Sequence, residues 1–144
     1  MSDESRVQEI AALQPVFAET LGMRLIEAAR DRIVMELPVT EAMSNRNGVM
    51  HGGAILGLTD NIAGTGATVN LKEGERTTTL ESKVNFLRPI RVGDVARATA
   101  TPVHIGNTTQ IWQVEVTRGD GKVAARVTQT QMTIIWKEPA ALKG

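Results

Sequence analysis

The stretch NRNGVMHGGAILGLTDNIAG, residues 45–64, holds the side chains best placed to do chemistry: His51, Gly52 and Gly53 in a row, then Asp60, the only charged residue between Arg46 and Lys72. Ile55, Leu58, Ile62 and Val69 fall close to one helical face, so the His-Gly-Gly run stands where a helix begins. The first N–H groups of a helix have no internal partner and lie at the positive end of its dipole; glycine leaves them open, which suits an oxyanion. Asp60 shares a stripe with Leu56, Gly64, Ala67 and Leu71 and has no Lys or Arg within a turn. A carboxylate among small and apolar groups is either functional or an exposed helix Asp satisfied by water or a distant Arg. His51 reads equally as a cap or packed histidine and as a catalytic group.

Spacing constrains how these groups can act together. Gly52 and Asp60 are eight residues apart, about 12 Å along a straight helix. A reacting carbon must lie roughly 3 Å from both the oxyanion donor and the nucleophile. If both residues are catalytic, two copies of the helix must run antiparallel, with Gly52 of one subunit facing Asp60 of the other across a two-fold homodimer.

Composition excludes several classes of function. Sixteen Lys and Arg balance sixteen Asp and Glu with no long run of one sign, and the chain has no Tyr, two Phe and two Trp, so a nucleic-acid partner is not expected. Without cysteine there is no disulfide framework or thiolate site, and His51 and His104 have no metal-ligand spacing, so no metal is expected. The acidic start MSDESRVQEI does not read as a secretory signal, and residues 47–71 are too polar for a membrane span; a cytoplasmic protein without a membrane partner is the expectation.

At 144 residues one domain is expected. Residues 1–21 read as a helical segment divided at Pro15 and stopped by Gly22, residues 22–137 as the main domain, and 138–144 as a tail. Strands at 23–28 and 32–39 flank a turn at ARDR, the helix runs from Gly52 to about Leu71, and KEGER ends it. Leu80, Val84 and Phe86 then alternate with polar residues, 95–105 is a strand interrupted by Pro102, and Trp112, Val114 and Val116 alternate with Gln113, Glu115 and Thr117. RGDGK at 118–122 signals a hairpin into a last strand, 123–136, ending at Pro139. The predicted architecture is α+β: a hairpin, one long helix, then an antiparallel meander of about four strands. Gly57, Gly64 and Gly66 weaken that helix by about 1 kcal/mol each relative to alanine, so close packing against them is expected.

The pattern N-x-x-G-x-x-H-G-G-x(6)-[DE], here Asn45, Gly48, His51, Gly52, Gly53 and Asp60, resembles the hotdog-fold acyl-CoA thioesterases of the phenylacetate-degradation (PaaI-like) type, and the resemblance continues through ESKVNFLRPIRVGD and HIGNTTQIWQVEVTRGDGKVAARVTQTQ. It implies a long helix wrapped by a sheet of five to six strands, paired into homodimers and often homotetramers. It implies hydrolysis of a medium-chain or aromatic acyl-CoA without metal or redox cofactor. Asp60 is then the nucleophile or general base, the Gly52 N–H polarises the carbonyl, Asn45 and His51 orient it, and Thr79 positions water. Gly53, Asn61 and Arg88 are implied substrate or CoA contacts; Arg88 reads equally as a solvated strand end. Gly106, Asn107 and Thr108 flank the pantetheine channel or form a plain turn. Two departures stand out. Gly64 occupies a position where some relatives have Ser or Thr, and Phe86 one where some aroyl-CoA hydrolases have His. A non-catalytic acyl-CoA binding module and a hotdog hydratase or dehydratase are the alternatives.

Overall fold

The computed structural model describes residues 1–137; the expected tail at 138–144, with Pro139, lies outside them. Two short helices open the chain, α1 (Asp3–Ala12) and α2 (Val16–Leu21), separated at Pro15 and closed by Gly22 in the left-handed conformation (φ 84°). Strands β1 (Arg24–Ala29) and β2 (Arg32–Pro38) make the first hairpin, and a single 3-10 turn, Glu41–Met43, leads to α3 (Gly52–Thr68). Strands β3 (Glu75–Phe86), β4 (Val95–Ile105), β5 (Thr109–Thr117) and β6 (Val123–Ile135) follow.

All six strands form one antiparallel sheet in the order β1-β2-β4-β5-β6-β3. The meander is therefore three strands, not four. β3 does not pair with its successor; it crosses to the far edge and pairs with β6, while β2 takes the place beside β4. Long-range pairing of this kind leaves no mark in local periodicity. Between β5 and β6, Gly121 turns with φ 80°, and Arg118 beside Asp120 holds that carboxyl down to about 2.

Helix α3 packs on β2, β3, β4, β5 and β6, burying Ile55, Leu58 and Ile62 against Met35, Leu37, Trp112 and Val114. Val7 and Ala11 of α1 belong to the same core. Arg30 fastens α1 to the far end of α3, with Nε 2.7 Å from Asp3 Oδ2 and Nη1 donating to the Val69 carbonyl at 2.6 Å. Among the described residues no helix is long and apolar enough to cross a membrane.

The glycines of α3 are explained by aromatic rings rather than by a neighbouring backbone. A Cβ at Gly66 would stand 2.8 Å from the buried Trp112 ring, one at Gly57 3.0 Å from Phe17, and one at Gly52 3.0 Å from Phe86. Gly64 departs from the packing expectation: nothing lies within 4 Å, and it faces an open depression.

Candidate active site

Asp60 sits on the face of α3 that the sheet leaves uncovered, and in the single chain it is exposed, in contrast to the apolar enclosure expected from its stripe. Ala67 on that stripe is buried instead, because β5 closes over this end of the helix and Gln110 Nε2 donates to the Ala67 carbonyl at 3.2 Å. What holds the carboxylate is a pair of neutral donors. Thr79 Oγ1 donates to Asp60 Oδ1 at 2.7 Å, and Gln129 Nε2 donates to the same oxygen at 2.8 Å. Among the described residues no ion pair involves Asp60.

A β-bulge brings Thr79 there. In the pairing of β3 with β6, Thr79 faces Gln131 and Glu81 faces Thr130, so Leu80 is an extra residue. The bulge reverses which side chains point inward. Before it, Thr77 and Thr79 reach the site; after it, Ser82 reaches Gln129, Val84 packs on the core and Phe86 lies over Gly52. The simple alternation of Leu80 with Val84 and Phe86 thus fails at Leu80, which is 57% exposed.

Two glutamines of β6 complete this arrangement, and sequence reading missed both. Gln129 is fully buried and Gln131 nearly so. The signal was present in VTQTQ: with Val127 inward, alternation also turns Gln129 and Gln131 inward, and an amide at a core register needs a polar partner.

Around the helix start, His51 caps α3, its Nδ1 accepting from the Gly53 N–H at 2.8 Å. Gly53 is thereby occupied. No acceptor among the described residues engages the Gly52 N–H. Asn45 Oδ1 accepts from the N–H groups of Asn47 (2.9 Å) and Val49 (3.3 Å), folding the loop that delivers His51. Asn61 is tied to the N-terminal segment, donating to Gln14 Oε1 at 2.8 Å. Arg88 Nη1 donates to the Val123 carbonyl at 2.7 Å while the residue stays exposed. Gly106, Asn107 and Thr108 form the β4–β5 turn, with the Gly106 N–H donating to Thr109 O.

Three clefts map this chemistry. One of about 260 Å³ and one of about 440 Å³ share Asp60 and Thr79; the first is walled by Ile10, Leu13 and Pro15, the second by Phe17, Leu56 and Leu80. A third, of about 520 Å³, contains Asn45, His51, Gly52, Phe86 and Arg88. Within one chain, the carboxylate and the free helix N–H open onto different clefts. Among the described residues no three His, Cys, Asp or Glu side chains cluster as a metal site would require.

An antiparallel sheet packed on one long helix that starts at His-Gly-Gly and carries a carboxylate is the hotdog arrangement, and the fold neighbours agree. The sequence pattern described as Thioesterase superfamily matches residues 47–125, more than half of the chain, and the protein belongs to that family of thioester hydrolases. It is similar to a Listeria monocytogenes protein named 1,4-dihydroxy-2-naphthoyl-CoA hydrolase, 33% identical over 99 residues, 69% of this chain and 80% of that one. Its fold matches a thioesterase crystal structure from Haemophilus influenzae, with TM-score 0.78, 27% identity and coverage of 85% and 86% of the two chains. It also matches the E. coli PaaI protein from the phenylacetic acid degradation operon, with TM-score 0.86, 24% identity and coverage of 92% and 96%.

Proposed function

We propose that this enzyme hydrolyses a medium-chain or aromatic acyl-CoA thioester, with Asp60 as the reactive carboxylate and the Gly52 N–H of a second subunit as the oxyanion donor. The observation that carries the reading is Asp60 itself: a carboxylate that no ion pair among the described residues reaches, held on one oxygen by two neutral donors and open to clefts with apolar walls. A thioester asks little else, because its thiolate leaves without strong acid assistance.

As nucleophile, the carboxylate oxygen bonds to the thioester carbon, the C–S bond breaks with its electron pair going to CoA thiolate, and water then cleaves the mixed anhydride. As general base, the carboxylate takes one proton from water while the water oxygen bonds to that carbon; the C–S bond then breaks and the proton passes to sulfur. Either route needs the carbonyl oxygen on the Gly52 N–H. Because Gly52 and Asp60 lie about 12 Å apart on one helix, the complete site requires antiparallel helices from two subunits, and we place the active form as a homodimer, paired further into a homotetramer. Arg88, exposed at the rim of the Gly52 cleft, suits the CoA phosphates. Phe17, Leu56 and Leu80 suit the acyl group.

The test is thiol release over short, medium, long and aromatic acyl-CoA substrates, with Asp60→Asn assayed beside the natural chain. Asp60→Asn is expected to fold and dimerise normally and to lose about 10²–10⁴-fold in kcat. Turnover near that of the natural chain in this variant would remove Asp60 from the reaction. Binding of acyl-CoA without turnover by the natural protein would point instead to a sensing module.

A further inference from the structure

We propose that Gln129 and Gln131 are positioning residues that commit Oδ1 of Asp60 to hydrogen bonding and so leave Oδ2 as the oxygen that reacts. This rests on the thioesterase reading above and deepens it. The two buried amides belong to a hydrogen-bond chain whose direction is fixed at its outer end. The Ser82 hydroxyl donates to Gln129 Oε1, and the Thr77 hydroxyl donates to Gln131 Oε1 at 2.9 Å, so both amide NH₂ groups face the site. Gln129 Nε2 then donates to Asp60 Oδ1, and Gln131 Nε2 donates at 2.9 Å to Thr79 Oγ1, which passes its own proton's hydrogen bond to the same Oδ1.

The inventory of donors makes the consequence definite. A hydroxyl has one proton, and Thr79 has given it to Asp60, so toward a water it can only accept. Thr79 cannot therefore donate to the attacking water or to the carbonyl. An ionised carboxylate has two oxygens; both donors converge on Oδ1, and among the described residues none reaches Oδ2. The free oxygen forms the bond to carbon in the nucleophilic route and takes the water proton in the base route. Buried partners locked by strand pairing hold the carboxylate plane without consuming the reactive atom.

Gln129→Leu and Gln131→Leu test this, with Gln110→Leu as the control. Gln110 is equally buried, but its partners are Ala67 O and the Trp112 indole N–H, away from Asp60. Expected is a kcat lowered roughly 10–100-fold in Gln129→Leu, the scale of one hydrogen bond to a charged group, and roughly 3–10-fold in Gln131→Leu, whose partner is the neutral Thr79 hydroxyl, with KM little changed in both; Gln110→Leu keeps kcat. Gln131 acts through Thr79, so Gln131→Leu should add no further loss in a Thr79→Val background, while Thr79→Ser restores turnover. Should Gln129→Leu fail to fold, Ser82→Ala at an exposed strand position releases the amide and must itself lower kcat. Equal kcat in Gln129→Leu and Gln110→Leu, or additive losses for Gln131 and Thr79, would overturn the proposal. Such a result with Asp60→Asn inactive would leave the thioesterase reading standing, whereas an active Asp60→Asn would remove that reading.

Discussion

What sets Asp60 apart is its surroundings rather than its residue type, and the reactivity proposed for it rests on them. Any cation at hydrogen-bond distance would compete for the charge that must develop toward a carbonyl carbon; neutral amide and hydroxyl donors orient the carboxylate without neutralising it. His51 shows the complementary economy at the helix start. Its Nδ1 is spent as the cap on the Gly53 N–H, which leaves Gly52 as the one N–H of that pair with no acceptor among the described residues. Capping is the role the structure shows for the imidazole. His51→Ala should lower stability to urea by about 1 kcal/mol, while His51→Ser, an ordinary N-cap residue, should hold it within a few tenths. Equal losses for the two would show that packing, not the cap, keeps the histidine there. Of the residues expected to touch substrate, Asn61 and Gly53 have their donors committed within the chain, and Asn45 serves the loop. Periodicity and spacing cannot reveal such commitments, because each partner pair is set by three-dimensional approach.

At the scale of elements, α3 tolerates its glycines because aromatic rings lie on three of them. That gives opposite expectations for the same substitution at two sites on one helix. Gly66→Ala drives a methyl to 2.8 Å from the Trp112 ring, which is fully buried and tethered by its indole N–H to Gln110. Overpacking of this kind is expected to cost about 1–3 kcal/mol, more than alanine's helix preference returns. Gly64→Ala meets nothing within 4 Å and should stabilise the fold by up to about 1 kcal/mol. Urea titration of the two variants decides the matter, and a stable Gly66→Ala would mean that Trp112 can shift. The bulge at Leu80 is the second device of this scale. One extra residue turns Thr79 toward Asp60 and still delivers Phe86 to Gly52, which an unbroken strand of the same length cannot do.

For the whole molecule, Asp60 and Gly52 open onto separate clefts, and the proposed two-subunit site is argued from that separation. Subunit mixing tests this directly. Gly52→Pro removes the one N–H at a position where proline is accepted in a helix, after His51 with extended backbone (φ −62°, ψ 138°). Equal mixing with Asp60→Asn, followed by subunit exchange, should restore about a quarter of natural turnover, since half the dimers carry one site with both groups intact. No recovery from two inactive parents would place the full site within one chain. The sequence by itself determined the local facts: the helix opening at His-Gly-Gly, the hairpins at ARDR and RGDGK, and the isolation of Asp60. Each follows from side-chain periodicity or turn chemistry within a few residues. Only the tertiary structure decided that β3 crosses to β6, that Leu80 is bulged and that two glutamines hold Asp60 by one oxygen. Those facts depend on groups 19 to 69 residues apart in the chain, whose meeting is set by sheet order and not by any local pattern.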